Sequence, residues 1–153
     1  MRIVGVAALL CLLQLSACSP GDEGNKNPIR IENAWLRTPP AGLDKTAGYF
    51  QLINNSGKDL TLTGATSEQI RAIEMHTTTV DGDMMRMRRL KTVSIPAGET
   101  SRFEPGGMHL MIFGLRTTQA VSITFPFEDG TVQTVPFVVS DSRSLRGRGQ
   151  KFH

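Results

Sequence analysis

His76, Met87, His109 and Met111 are the residues of this 153-residue chain whose types and spacing suit joint chemistry. Two imidazoles and two thioethers make a soft, uncharged donor set. Thioether sulfur favours Cu(I) over hard or borderline divalent ions. Zinc sites ordinarily draw on Cys, His and carboxylate, and blue-copper electron transfer needs a Cys ligand. The chain has two Cys, Cys11 and Cys18, both near its start. No thiolate is therefore expected beside these four residues. The set points to one Cu(I) ion that is carried, not cycled between oxidation states.

Local pattern suggests how the four meet. Asp81-Gly82 reads as the two-residue turn of a β-hairpin. Val80 then pairs with Asp83, and the same register sets His76 directly opposite Met87, at Cβ separations of about 5 Å. Further on, strand alternation sends His109, Met111 and Phe113 to one face and Leu110 and Ile112 to the other. The Leu110/Ile112 face reads as the core side, which leaves His109 and Met111 on the outer or rim face. Taken singly, each residue has a plainer role, since a Met on a strand usually fills core space. Met75, Met84 and Met108 are read as packing residues. Met85 shares a face with Met87 and is a possible auxiliary sulfur. Glu74 falls on the His76 face.

The elements that position these residues read as strands. Apolar runs at Ile29–Arg37, Gly48–Asn54, Leu60–Thr63, Ile70–Thr78, Met84–Leu90, Thr100–Phe103, His109–Phe113, Ala120–Phe127 and Val132–Val139 alternate with turn signals such as Pro96-Ala97-Gly98 and Asp129-Gly130. Strand-length runs at this spacing indicate an all-β sandwich or barrel, over residues 29–139. No segment holds a capped 3.6-residue period, and there is no internal repeat.

The ends read differently. Residues 1–17 combine an early Arg2 with a short apolar run, as a secretory signal does. Leu15-Ser16-Ala17-Cys18 resembles a bacterial lipobox, in which Cys18 is lipidated and becomes the first residue. Residues 18–28 are polar and rich in Gly, Pro and Asn, fitting a lipidated Cys followed by a flexible tether. Ser19 is compatible with outer-membrane sorting, and the inner membrane is compatible too. The formal charge of +3 is concentrated in a basic tail, residues 140–153, expected to be disordered. No basic stripe is interleaved with aromatics, so nucleic acid is not an expected partner. Without a disulfide, an exported domain of this size must rely on its core.

The spacing His76, ten residues, Met87, twenty-one residues, His109, one residue, Met111 resembles the H(M)X10MX21HXM signature of periplasmic PCu(A)C-type copper chaperones. Met75 stands at the signature's optional Met. Ala34-Trp35-Leu36-Arg37, Pro39-Pro40, Ala47-Gly48-Tyr49-Phe50, Asn54 and Pro105-Gly106-Gly107 agree with the same family. The resemblance covers residues 29–139. It implies a cupredoxin-like Greek-key β-sandwich, and one Cu(I) ion held by His76, Met87, His109 and Met111. It also implies copper delivery for respiratory oxidase assembly, most often to the dinuclear centre of cytochrome c oxidase. Trp35 and Arg37 match the opening strand and are read as structural. Some relatives carry a His- and Met-rich extension. The tail here has one His, His153, and no Met, which puts a second copper site in doubt.

The leading expectation is a monomeric, non-enzymatic binding and delivery protein, anchored by lipid and facing the periplasm. Its partner would be an apo copper-receiving oxidase subunit or another copper carrier. Only neutral imidazole ligates, so affinity should fall as pH drops through the histidine range. Two other classes stay open: a copper redox enzyme using the same ligands, and a metal-free envelope lipoprotein acting as an interaction module.

Overall fold

A computed structural model describes residues 28–117 and 119–141 of the chain. The expected signal segment, Cys18, all of the tether but Pro28, and the tail beyond Asp141 lie outside the described residues. Ten strands occur in chain order: β1 (Ile29–Arg37), β2 (Lys45–Asn54), β3 (Leu60–Leu62), β4 (Ile70–Asp81), β5 (Met84–Leu90), β6 (Val93–Ile95), β7 (Thr100–Phe103), β8 (Met108–Leu115), β9 (Val121–Pro126) and β10 (Val132–Ser140). Nine coincide with the runs read from sequence. The tenth, β6, is three residues long and pairs only with β3, too short for alternation to announce it.

Eight strands form one sheet in the order β5-β4-β8-β7-β2-β1-β10-β9, and β3 and β6 form a second, small sheet. β2 divides its pairing: Lys45 to Gly48 lie against β8, and Phe50 to Ile53 lie against β7. Bridges from Leu62 to Phe127 and from Thr66 to Thr124 connect the β3 region to β9, closing the sandwich. Alternation fills its interior. Leu52, Leu62, Ile95, Leu110, Ile112, Val121, Ile123, Phe125 and Phe137 are fully buried. Phe50 stacks on Phe103 at 4.2 Å between ring centroids and tilts against Phe125 at 5.0 Å. Burying each such side chain is worth about 1.5–3 kcal/mol. That supply of apolar area explains how the domain holds together without a disulfide.

Two local devices set the frame around the site. One extra residue lies in β1 between Glu32 and Trp35, where Asn33 takes φ 53°. This bulge restores the register so that Trp35 faces Tyr49, with ring centroids 4.7 Å apart. On β2, Gly48 pairs with Leu36 on one side and Leu110 on the other. A Cβ there would sit 2.7 Å from Leu36 Cδ2, so only glycine lets three strands approach this closely.

Candidate metal centre

The site is built on three adjacent strands, β5, β4 and β8. β8 is antiparallel to β4 and sets His109 beside His76 and Met111 beside Glu74. The imidazole centroids of His76 and His109 are 5.9 Å apart. Metal–nitrogen bonds of about 2 Å from each ring fit within that separation. Leu110 and Ile112 point into the core as alternation requires, and His109 and Met111 occupy the opposite face. His109 is buried to 6 % exposure, deeper than a rim position would suggest.

The β4–β5 register differs from the one read in the sequence. Gly82 has φ 61° and occupies the first central position of the turn, with Asp83 second. Asp81 therefore pairs with Met84, Thr78 with Met87 and His76 with Arg89. Met87 does not lie directly opposite His76. A glycine at the first position suits the II′ turn, which needs a positive φ only there, whereas the expected register required it at Asp81 as well. The slip is two residues in partner identity, so Met87 stays on the His76 face. Met84 also departs from expectation: it is exposed, because no described residue covers the hairpin tip. Met75 is buried, and Met108 packs against the core, both as read.

Met87, His109 and Met111 line one open cleft of about 310 Å³, together with Arg37, Leu43, Thr46, Tyr49 and Thr78. His76 stands outside this lining and reaches the group through its neighbour His109. Met87 is 53 % exposed on the edge strand. Met85, across from Val80, shares its face and is more exposed still, further out toward the hairpin tip. Arg37 borders the cleft, in addition to the structural role read for it, and its carbonyl accepts the Thr46 hydroxyl at 2.7 Å.

Each histidine has one ring nitrogen engaged. His109 Nδ1 lies 3.1 Å from the Gly107 carbonyl, which can only accept. His109 therefore donates from Nδ1 and keeps a lone pair on Nε2. His76 Nε2 lies 2.9 Å from Glu74 Oε2, and Glu74 Oε1 lies 3.0 Å from Arg89 Nη1. Sequence reasoning set Glu74 on the His76 face without giving it a role, and it did not single out Arg89. The signal for Glu74 was its place two residues before His76 on the same strand face. Among the described residues no group of three His, Cys, Asp or Glu side chains is placed to hold a metal ion. A metal ion held at this face would draw on the sulfurs of Met87 and Met111, and sulfur selects a soft ion.

Comparison with known proteins places the chain. Residues 29–139 match the LpqE-like lipoprotein family. The protein Lxx21020 of Leifsonia xyli subsp. xyli, which carries a lipoprotein name, is 30% identical, covering 92% of this chain and 90% of its own. The solution structure of the Cu(I) form of DR1885 from Deinococcus radiodurans superposes with TM-score 0.62 at 26% identity, over 80% of this chain and 86% of that one. A copper-bound PCuAC domain from PmoF2 superposes with TM-score 0.63 at 23% identity, over 74% and 93%, and so speaks for the fold. The fold is accordingly a cupredoxin-like β-sandwich, as the signature implied. With its whole described sandwich matched, the chain belongs to the LpqE-like family and is of the PCu(A)C type.

Proposed function

We propose that this protein is an exported, lipid-anchored Cu(I) carrier that delivers copper to an acceptor of the respiratory oxidase assembly line. The observation that carries the reading is the gathering of His76, His109, Met87 and Met111 on one face of three adjacent strands, the last three of them lining an open cleft. The Cu(I) form of DR1885 supports the choice of metal. One ion is bound by those four side chains, with Met85 as an auxiliary sulfur on the same face of β5.

Carrying suits the geometry better than catalysis. A neutral thioether 53 % exposed on an edge strand is an easily displaced ligand. An acceptor can add its own donor at the open cleft before the imidazoles let go. In this reading residues 1–17 are removed, Cys18 is lipidated, residues 18–28 tether the domain of residues 29–139, and residues 140–153 form a basic tail. The family's lipoprotein name supports the anchor.

Anaerobic titration with Cu(I) against a chromophoric chelator should show one equivalent bound. The double variant H109A/M111A should remove it, and copper should stabilise the wild-type fold as any native-state ligand does. Mixing the loaded protein with an apo oxidase subunit bearing the dinuclear copper site should move the metal to that subunit. Retention of copper in the presence of that acceptor would reject delivery and leave storage. An undiminished equivalent in H109A/M111A would reject the site.

A further inference from the structure

We propose that the two histidines present different ring nitrogens to copper, Nδ1 from His76 and Nε2 from His109, and that Glu74 is the positioning residue that fixes the choice at His76. The proposal rests on the copper-carrying reading and adds to it the atoms that hold the ion and the residue that orients one of them.

The argument begins with an orphan. His76 Nδ1 is buried and has no hydrogen-bond partner among the described residues. Buried polar atoms are nearly always paired, so an exception requires a reason. On the other side of the ring, Nε2 lies 2.9 Å from Glu74 Oε2. An ionised carboxylate only accepts, so the ring proton sits on Nε2 and Nδ1 is left as a bare lone pair. A metal ligand needs that lone pair, and a ligating histidine usually gives its other N–H to a carboxylate or carbonyl.

Glu74 is itself fixed. Its second oxygen takes Arg89 Nη1 at 3.0 Å, and Arg89 stands opposite His76 in the β4–β5 ladder. The slipped hairpin register is what brings Arg89, rather than Met87, to that position. Each carboxylate oxygen thus has one partner, and Glu74 is only about a quarter exposed. His109 shows the complementary arrangement, with Nδ1 engaged by the Gly107 carbonyl and Nε2 available. The carbonyl of Gly107 is in turn held by the Thr78 amide at 3.1 Å. Both rings are therefore oriented by groups that accept a hydrogen bond from the nitrogen that does not ligate, and the two tautomers are opposite.

The experiment reads the tautomers directly, by long-range proton–nitrogen correlation on the full-length protein with 15N-labelled histidine. It is done near pH 8, above the ordinary imidazole range of about 6.5. The metal-free protein should show His76 protonated on Nε2 and His109 protonated on Nδ1. One equivalent of diamagnetic Cu(I) should move the His76 Nδ1 and His109 Nε2 resonances. Glu74→Ala should mix the His76 tautomers and lower Cu(I) affinity about 10–100-fold, the range for losing an outer partner of a ligand. Glu74→Gln keeps a carbonyl acceptor and should largely restore the His76 tautomer. The unchanged His109 signal serves as the folding control, and if Glu74→Ala disturbs it, the wild-type tautomers decide alone.

Protonation of His76 on Nδ1 in the metal-free protein would overturn the proposal, and so would copper moving its Nε2 resonance. An unchanged His76 tautomer in a folded Glu74→Ala variant would remove Glu74 from the role. Absence of any copper response, with both tautomers as expected, would overturn the copper-carrying reading and the ligation claim together, leaving only the apo arrangement.

Discussion

Met87 faces Thr78 across the β4–β5 ladder, two residues further toward the hairpin tip than His76. The sulfur therefore approaches the histidine pair diagonally, from an edge strand that solvent reaches freely. This relationship separates the part proposed for Met87 in metal binding from its part in stability. Met87→Ala should leave folding stability within about 0.5 kcal/mol, as expected for an exposed position. Its Cu(I) affinity should fall by more than the roughly 10–100-fold typical of losing an outer partner. Chemical denaturation and a chelator titration on the same variant check both halves.

The turn that sets this register depends on one glycine. Gly82 has φ 61° with open space around its Cβ position, so an added side chain meets no atom and only the backbone objects. Gly82→Ala should destabilise the hairpin by about 1–2 kcal/mol, the penalty of the left-handed region for an L-residue. Hydrogen exchange of the β5 amides should rise while that of β9 and β10 stays unchanged.

Gly48 makes the opposite prediction, steric in origin and not conformational. Its φ is ordinary, but an alanine Cβ would lie 2.7 Å from Leu36 Cδ2 and 3.4 Å from Leu110 Cβ, and both leucines are fully buried. Gly48→Ala should cost about 1–3 kcal/mol through overpacking. It should also weaken Cu(I) binding, because β8 carries His109 and Met111 on the strand being displaced. Thermal unfolding and copper titration measure the two effects.

Asn54 is fully buried, and its side-chain amide donates to the carbonyls of Lys58, Ile95 and Pro96 at 2.8, 2.9 and 3.1 Å. It ties the end of β2 to the β2–β3 loop and to the end of β6. Asn54→Ala should remove the donor to the buried Ile95 carbonyl along with the other two bonds, and losing such buried bonds should cost about 1–3 kcal/mol. A lowered midpoint in urea with an unchanged slope is the expected signature.

A hydrogen bond from the Lys58 ammonium to Asp129, with help from Thr131, holds the Asp129 carboxyl at about 2, below its ordinary 3.8. A depressed carboxylate stabilises the fold above the unfolded value and loses that contribution as pH falls from about 3.8 toward 2. Lys58→Ala should raise the Asp129 value toward 3.8 in an NMR titration. A wild-type carboxyl that titrates at the ordinary value would contradict the contact.

Most of the fold was readable because period and punctuation agree. Runs such as Ile29–Arg37 and Val132–Val139 carry apolar residues with turn residues on either side, and each became a strand. Alternation correctly sends His109 and Met111 away from Leu110 and Ile112, and the four candidate ligands share one sheet face as read. What escaped was pairwise placement. Asp81-Gly82 and Gly82-Asp83 are both admissible two-residue turns, and only the backbone at Gly82 distinguishes them. The role of Glu74 escaped for another reason: its partner Arg89 is fifteen residues away in the chain, and only the realised register brings it to His76.

β5 ends the eight-stranded sheet, and its outer edge has no neighbouring strand among the described residues. Such an edge invites a second strand, and two copies joined there would close over Met87. Three arginines, Arg86, Arg88 and Arg89, stand on this seven-residue strand. Laying one β5 against another would crowd six guanidinium groups together, the kind of charge that guards exposed edges against aggregation. The arginines on either side of Met87 would thus oppose the pairing of this edge with a second copy of itself.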